Sequence, residues 1–137
     1  MTYLLDTNVV SEIRRRTADP NVVAWLESVH PDDLFLSAIV VGEVRAGIDR
    51  LRPRDSPQAD VFEAWLSELR TSFSDRILPI DAEVAEEWGR LTARSTLAVE
   101  DGLMAATANV HAMTFVTRNV ADIAGTGTRV LNPWDPL

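Results

Sequence analysis

Short apolar runs alternate along the chain with stretches in which apolar residues recur at helical spacing. The first run covers residues 2–5 and ends at three polar residues of types that favour helix N-caps, and a helical pattern follows over residues 9–16. A second run, residues 34–36, leads to Ser37 as a candidate N-cap for a helix over residues 38–48. The pattern therefore predicts a strand, a turn and a helix, twice in succession.

The same alternation continues to the C terminus. Further strands are predicted over residues 76–80, 114–117 and 129–131, and further helices over residues 22–29, 59–73, 84–91 and 101–111. Asp81 is a candidate cap for the helix over 84–91, and residues 51–57, with two prolines, form a loop. We find neither repeats nor a low-complexity tract. The sequence predicts one α/β domain over residues 1–137, with a central parallel sheet of four or five short strands.

Length and composition fit one globular domain without a membrane segment. A chain of 137 residues lies within the range of about 100–150 residues in which single domains are most frequent. No stretch approaches the roughly 18 consecutive apolar residues of a membrane helix, and the first residues lack the pattern of a signal peptide. The absence of cysteine excludes disulfides and thiolate metal sites. Together these features favour a cytoplasmic protein that binds no membrane.

The charged residues narrow the chemistry. The chain has 21 acidic and 13 basic residues, a net charge of −8, so a broad electrostatic attraction to nucleic acid is not expected. Carboxylates that hold divalent cations reverse the sign of the field locally, which keeps RNA cleavage open. Every basic residue is arginine. The absence of lysine excludes phosphoaspartate phosphatases and receiver domains, which also begin with a strand and an aspartate but pair the phosphate with a lysine.

Four carboxylates occupy positions where the active site of a parallel sheet is expected. Ligands of such sheets bind at the carboxyl ends of strands, and Asp6 and Asp122 follow predicted strands. Glu43 and Asp101 lie in apolar surroundings on predicted helices, where an unpaired carboxylate is costly. Converging carboxylates without histidine or cysteine form an all-oxygen site that suits Mg²⁺ or Mn²⁺ and disfavours zinc. Such a site hydrolyses phosphodiesters with a metal-activated water.

Each of these acids also has a structural interpretation when it is taken alone. Asp6 fits a helix cap, Glu43 an exposed helix residue, Asp101 a helix cap with Glu100 as its solvated neighbour, and Asp122 a turn residue. None of them identifies a metal site by itself. The order of the acids along the chain and the sequence around them decide between the two interpretations.

Five segments resemble the PIN-domain family, and within it the VapC-like toxins and the related FitB-type proteins. The segments occur in the family's order, at family-like separations, along almost the whole chain. They cover residues 4–12, 36–47, 101–108, 116–122 and 131–134. One such segment is weak support, whereas five in order are specific.

The resemblance implies a PIN-like α/β/α sandwich and a Mg²⁺-dependent endoribonuclease that is the toxin of a toxin–antitoxin pair. It implies an acidic catalytic pocket built from Asp6, Glu43 and Asp101, with Asp6 and Asp101 as metal ligands. It also implies polar neighbours that orient the carboxylates and water, namely Thr7, Asn8, Ser37, Thr117 and Asn119.

The fourth catalytic position and the phosphate partners are less closely defined. The family often has an aspartate two residues after the threonine of the segment that begins at Thr117; this chain has Asn119 there and Asp122 three residues further on. Either residue can fill the position. Arg45 and Arg118 are expected to bind substrate phosphate because they lie beside the predicted site. The densest basic cluster, residues 14–16, is interpreted instead as a solvated helix end.

The resemblance also implies partners. Relatives of this kind are homodimers that pair with a VapB-like antitoxin, and a segment of the antitoxin enters the acidic groove. RNA is then the substrate, and DNA is reached only through the antitoxin. The alternative is a catalytically weak PIN-fold subunit that acts in a DNA-binding complex with its antitoxin. The presence of Asp6, Glu43 and Asp101 favours the nuclease.

Overall fold

A computed structural model describes residues 1–137, and a five-stranded parallel sheet forms its centre. The strands are β1 (Tyr3–Leu5), β2 (Leu34–Ser37), β3 (Ile77–Leu78), β4 (Thr114–Val116) and β5 (Val130–Leu131). Their order across the sheet is β3-β2-β1-β4-β5, and every neighbouring pair is parallel. The prediction of an α/β fold with a central parallel sheet is confirmed.

Six α-helices connect the strands. They are α1 (Thr7–Arg14), α2 (Pro20–Glu27), α3 (Ala38–Leu51), α4 (Ser56–Ser72), α5 (Ala82–Arg94) and α6 (Val99–Val110). Short 3-10 turns cover Pro31–Asp33 and Val120–Ile123. Apart from α3, the apolar patterns start two or three residues after the helices do, because the polar residues that open a helix carry no apolar periodicity. The predicted cap Asp81 nevertheless gives the start of α5 correctly.

Right-handed crossovers place helices on both faces of the sheet. The chain moves outward from β1 to β2 and β3 and then crosses back to β4, on the other side of β1. Since parallel connections are right-handed in about 98% of cases, α1 to α4 cover one face and α5 and α6 cover the other. Helix α3 packs against α4, and α5 packs against α6. None of the helices combines the length and the apolar character that a membrane crossing needs.

The core lies on both faces of the three central strands. The apolar strand side chains that are at most 1% exposed are Leu4, Leu5, Leu36, Phe115 and Val116. Strands covered on both faces are continuous apolar runs rather than alternating ones, which is why the sequence predicts these three correctly. On α2, Trp25 meets Tyr3 edge to face with ring centroids 5.2 Å apart, which fixes α2 over β1.

Two helix caps agree with the sequence prediction. Ser37 accepts the backbone N–H of Ile39 at 3.1 Å and begins α3. Asp81 accepts the backbone N–H of Val84 at 3.0 Å and begins α5. Ser37 is fully buried at the carboxyl end of β2, so its hydroxyl sets the direction in which the next helix leaves the sheet.

Asp101 is not a helix cap. Helix α6 begins at Val99 with Ala98 at its N-cap, which provides no side-chain hydrogen bond, and Asp101 lies in the first turn. No hydrogen bond contributes to the pKa of its carboxyl group. The carboxylate of Asp101 is therefore not committed to holding the helix end.

Gly102 marks a close approach of α6 to α5, next to Asp101. A Cβ atom at Gly102 would lie 2.9 Å from Cδ1 of Trp88, and a rigid indole ring has little room to yield. We expect Gly102→Ala to destabilise the protein by roughly 1–3 kcal/mol, the usual cost of overpacking. Thermal unfolding measures the loss. Gly89→Ala on α5 is the matched control, because a Cβ there meets no atom within 4 Å; equal melting temperatures for the two variants would contradict the close packing.

Candidate active site

The site lies at the carboxyl ends of β1 and β4, in the middle of the sheet. Strand β1 pairs with β2 on one side and with β4 on the other, so the direction of the chain across the sheet reverses there. Open parallel sheets bind their ligands at such a switch point. Asp6 directly follows β1 and Thr117 directly follows β4. The two residues therefore lie side by side at the edge where chemistry is expected.

Three donors hold the carboxylate of Asp6. Its Oδ1 accepts the backbone N–H of Thr7 at 2.7 Å, so Asp6 is also the N-cap of α1. Its Oδ2 accepts the hydroxyl of Thr117 at 2.7 Å and the side-chain amide of Asn8 at 3.2 Å. The helix-cap and active-site interpretations of Asp6 are therefore compatible, because one oxygen serves the cap and the other faces the end of β4.

Thr7 connects Asp6 to a second carboxylate. Its hydroxyl donates to Oε1 of Glu43 at 2.8 Å, while its backbone N–H donates to Asp6. Glu43 lies on α3, which contacts α1. One residue thus ties together acids from two successive strand–helix units. Ser37 contributes indirectly. Its hydroxyl caps α3, the helix on which Glu43 lies, and does not contact a carboxylate.

Burial and mutual repulsion raise the pKa of three carboxyl groups. Desolvation by burial is the largest cause for Asp6, Glu43 and Asp101, even though Glu43 as a whole residue is exposed. Hydrogen bonds to Asp6 and Glu43 oppose the rise. The charge of Asp6 raises the pKa of both Glu43 and Asp101, and the charge of Asp101 raises the pKa of Glu43. The three groups therefore form one electrostatic unit with an excess of negative charge.

Two further carboxylates act on the same unit. Asp122, in the 3-10 turn after β4, raises the pKa of Asp6 and Asp101. Glu100 raises the pKa of Glu43 and Asp101. From sequence alone, Glu100 is expected to be only a solvated neighbour of Asp101. Its position beside Asp101, in the first turn of a helix that starts at the site, was the signal that could have included it.

Asn119 and Asp122 take different places near the end of β4. The backbone N–H of Asn119 donates to the hydroxyl oxygen of Thr117 at 3.0 Å, and its side chain makes no capping hydrogen bond. Asn119 thus supports the hydroxyl that in turn donates to Asp6. Of the two candidates for the fourth position, Asp122 is the one whose charge acts on the site.

The donor set suits a hard divalent cation. Every candidate ligand is a carboxylate oxygen, and zinc, which prefers nitrogen and sulfur ligands in a closed tetrahedron, is disfavoured. No three acidic or histidine side chains are close enough together to hold one ion directly. Mg²⁺ typically keeps several waters and binds protein through one or two carboxylates. A divalent cation at this site would therefore need water between the ion and some of these acids.

Arg45 does not lie beside these carboxylates, so the expectation that it does was wrong. Its guanidinium pairs with both carboxylate oxygens of Glu63 and with Asp49 at 3.2 Å. Successive helix residues turn by about 100°, so a residue two positions after Glu43 points to the far side of α3. There Arg45 lines the largest cavity of the protein, about 620 Å³, which none of the site's carboxylates reaches.

Arg118 lies at the rim of the site. It is exposed, and its guanidinium stacks on the ring of Trp134, 5.0 Å from the centroid. Its backbone N–H approaches Oδ1 of Asn8 at 3.5 Å, and Asn8 also donates to Asp6. The backbone of Arg118 therefore borders the site, while its guanidinium lies over Trp134 and pairs with no carboxylate.

Arg14 lies next to the site, although the sequence pattern does not predict it there. Its guanidinium lies against two aromatic rings of α4, in a cavity that Thr7 and Glu43 also line. Thr7 and Arg14 are seven residues apart, two helical turns, and so share one face of α1. That spacing was present in the sequence, but the interpretation of residues 14–16 as one solvated cluster hid it.

The PIN-domain family model matches residues 3–121 of the chain. The chain belongs to the PIN-domain family. Among relatives of this PIN-domain protein, Toxin FitB of Neisseria gonorrhoeae is 37% identical over 96% of this chain and 97% of the relative. VapC ribonuclease Y4jK of Sinorhizobium fredii is 31% identical over 97% of this chain and 98% of the relative. The predicted family and fold are confirmed.

A solved structure gives the same result in three dimensions. FitAB bound to an IR36 DNA fragment contains a chain that matches this PIN-domain protein with a TM-score of 0.89 and 36% identity, over 99% of this chain and 98% of that one. The similarity extends from the first strand to the last. Asp6, Glu43 and Asp101 therefore lie on a backbone shared over its whole length with a protein of the FitB type.

Proposed function

We propose that this PIN-domain protein is the toxin of a toxin–antitoxin pair and acts as a Mg²⁺-dependent endoribonuclease. The convergence of Asp6, Glu43 and Asp101, three carboxyls with raised pKa values, at the switch point of the sheet carries the proposal. Two relatives that match it over nearly their full length, named as a toxin and as a VapC ribonuclease, support it. The chain belongs to a family for which this chemistry is the expected use of such acids.

Asp6 and Asp101 are the residues that would contact the metal, Glu43 would hold it through water, and Mn²⁺ would substitute for Mg²⁺. When bound, the ion supplies an activated water for attack on phosphorus and neutralises charge on the leaving oxygen. The chain's own contribution is orientation. Thr117 and Asn8 fix one oxygen of Asp6, and a carboxylate fixed in this way needs little rearrangement when it takes up its ligand.

Asp122 is the fourth carboxylate of the proposed site, and Arg118 is its phosphate partner. The charge of Asp122 already acts on Asp6 and Asp101. Arg118 is exposed at the rim and is held against Trp134. A guanidinium held in one orientation pairs well with phosphate oxygens. Such a cation would offset the repulsion between the phosphate and the carboxylates of the site. Asn119 acts through Thr117 and not as a ligand.

We expect three kinds of partner. RNA is the substrate, and a VapB-like antitoxin inhibits by placing a basic side chain in the acidic cleft. The relative's FitAB structure holds a DNA fragment, and with a net charge of −8 this chain should reach DNA only through its antitoxin. The functional unit is a homodimer of single PIN domains, each spanning residues 1–137.

Cleavage of RNA by the purified chain tests the proposal. With Mg²⁺ present, total cellular RNA should give discrete fragments, and single-stranded DNA should stay intact. Addition of the small protein encoded beside this chain should stop the reaction. RNA that stays uncut with both Mg²⁺ and Mn²⁺, by a folded chain free of that small protein, would contradict the ribonuclease and leave the DNA-binding subunit as the function.

A further inference from the structure

A small cavity opens beside Glu43 and runs along α1 to Arg14. It has a volume of about 210 Å³, and its lining includes Thr7 and Glu43 at one end and Arg14, Phe62 and Trp65 at the other. Pockets that enclose a whole small molecule usually measure about 300–1,000 Å³. This cavity is smaller and is continuous with the proposed active site, so its dimensions fit one part of a polymer whose next part lies on the carboxylates.

The cation in this cavity is held in place and is not neutralised. The guanidinium of Arg14 lies 4.3 Å from the ring centroid of Phe62 and 5.4 Å from that of Trp65. The salt bridges of the protein involve other arginines, among them its neighbour Arg15, which pairs with Glu12. Aromatic faces attract a cation without cancelling its charge. Arg14 therefore keeps its hydrogen-bond donors for a ligand.

We propose that Arg14 binds a backbone phosphate of the RNA strand beside the phosphodiester that is cleaved, a subsite that rests on the proposed ribonuclease function. The guanidinium of Arg14 covers the rings of Phe62 and Trp65. The ligand therefore meets the cation rather than an aromatic face on which a base could stack. An anion with several acceptor oxygens matches the fork of an arginine. A strand that enters at the carboxylates and runs along the cavity brings such an anion to Arg14.

The charge distribution of the protein gives this cation unusual weight. The net charge of −8 repels an RNA strand from most of the surface, and the five acids of the site add to that repulsion. Arg45 and Arg52 are neutralised by Glu63 and by other acids. Arg14 shares a cavity with Glu43, whereas the backbone of Arg118 lies next to Asn8, so the two arginines can contact different phosphates of one strand.

RNA binding measures the subsite separately from catalysis. The probe is a short single-stranded RNA that the wild-type chain cleaves. All binding measurements use proteins that also carry Asp101→Asn, so that the RNA stays intact, and the chain with Asp101→Asn alone is the parent. Loss of one charged contact should raise the Kd of Arg14→Gln about 10-fold and lower the slope of log Kd against log salt by about 0.7. Arg14→Lys keeps the charge and should retain the slope. Arg16→Gln, from the same cluster but outside the cavity, is the matched control and should bind like the parent.

Neutral methylphosphonate linkages locate the phosphate that Arg14 contacts. Placed singly along the same RNA, one of them should weaken binding to the parent chain, and that penalty should vanish in Arg14→Gln. If Arg14→Gln binds RNA like Arg16→Gln, the subsite is refuted even though the ribonuclease stands. If Arg14→Gln weakens binding of the neighbour-encoded antitoxin and not of RNA, the cavity is a protein contact and the proposal is wrong. If the wild-type chain cuts no RNA, the proposed function itself has failed.

Discussion

Asp101→Asn should lower the rate of RNA cleavage by about 100- to 1,000-fold, the usual effect of removing one preorganised electrostatic group from a hydrolytic site. The amide keeps the shape of the side chain but removes one negative charge from the place where the metal binds. Asp6→Asn should lose as much, and Glu43→Gln somewhat less if a water separates Glu43 from the ion. Initial rates at saturating Mg²⁺ measure these losses, and circular dichroism checks that the fold is retained.

A matched surface change separates this effect from a general loss of charge. Asp75 is 84% exposed at the amino-terminal end of β3, the opposite edge of the sheet from the site. Asp75→Asn should leave the rate unchanged. Normal metal-dependent cleavage by a folded Asp6→Asn, Asp101→Asn double variant would overturn the assignment, since both acids that are expected to contact the metal would then be absent.

Removal of divalent cations with EDTA should reduce cleavage to background, and Mg²⁺ or Mn²⁺ should restore it.

Removal of divalent cations should also make the stability of the fold depend on pH. Because burial and repulsion raise the pKa of Asp6, Glu43 and Asp101 in the folded chain, the protonated forms stabilise the fold below the ordinary carboxyl pKa of about 4. That stabilisation is lost as the pH rises through the raised values. Metal-free protein should therefore melt at a higher temperature in mild acid than at neutral pH, as far as these groups contribute.

Two comparisons test that explanation by thermal unfolding. Mg²⁺ should raise the melting temperature at neutral pH more than in acid, because the ion binds the charged forms. Asp101→Asn should raise the neutral melting temperature in EDTA and weaken the pH dependence. Asp101 is the clean choice because no hydrogen bond contributes to its pKa, whereas an amide at Asp6 would turn a donor toward groups that already donate. Equal pH dependence in wild type and Asp101→Asn would contradict the coupling.

The sheet and the acids were accessible from sequence because both obey local rules. Buried parallel strands are continuous apolar runs, and the residue after a strand faces the binding edge, which is enough to find Asp6. Glu43 and Asp101 stood out as charges in apolar surroundings. The position of Asp101 within α6 was less well predicted, because α6 begins without a capping side chain and so gives no start signal.

The arginines show where sequence reasoning stopped. Arg45 is expected at the site because it is close to Glu43 along the chain. A helix turns by about 100° per residue, however, so a residue two positions after Glu43 lies on the opposite face of α3. Arg14 was grouped with Arg15 and Arg16 by composition, yet only Arg14 lies over the rings of Phe62 and Trp65. Those rings belong to α4, about fifty positions away, and periodicity within one helix carries no information about which neighbour covers it.

The order of strands in the sheet also governs when the candidate active site can form during synthesis of the chain. Strand β1 leaves the ribosome first, but its partner β4 comes from residues 114–116, and the hydroxyl that orients Asp6 belongs to Thr117. Domains fold as units once enough chain has emerged. A nascent chain that lacks this last third has Asp6 beside an open sheet edge and no Asp101 or Asp122. The candidate active site can therefore form only when translation is nearly complete.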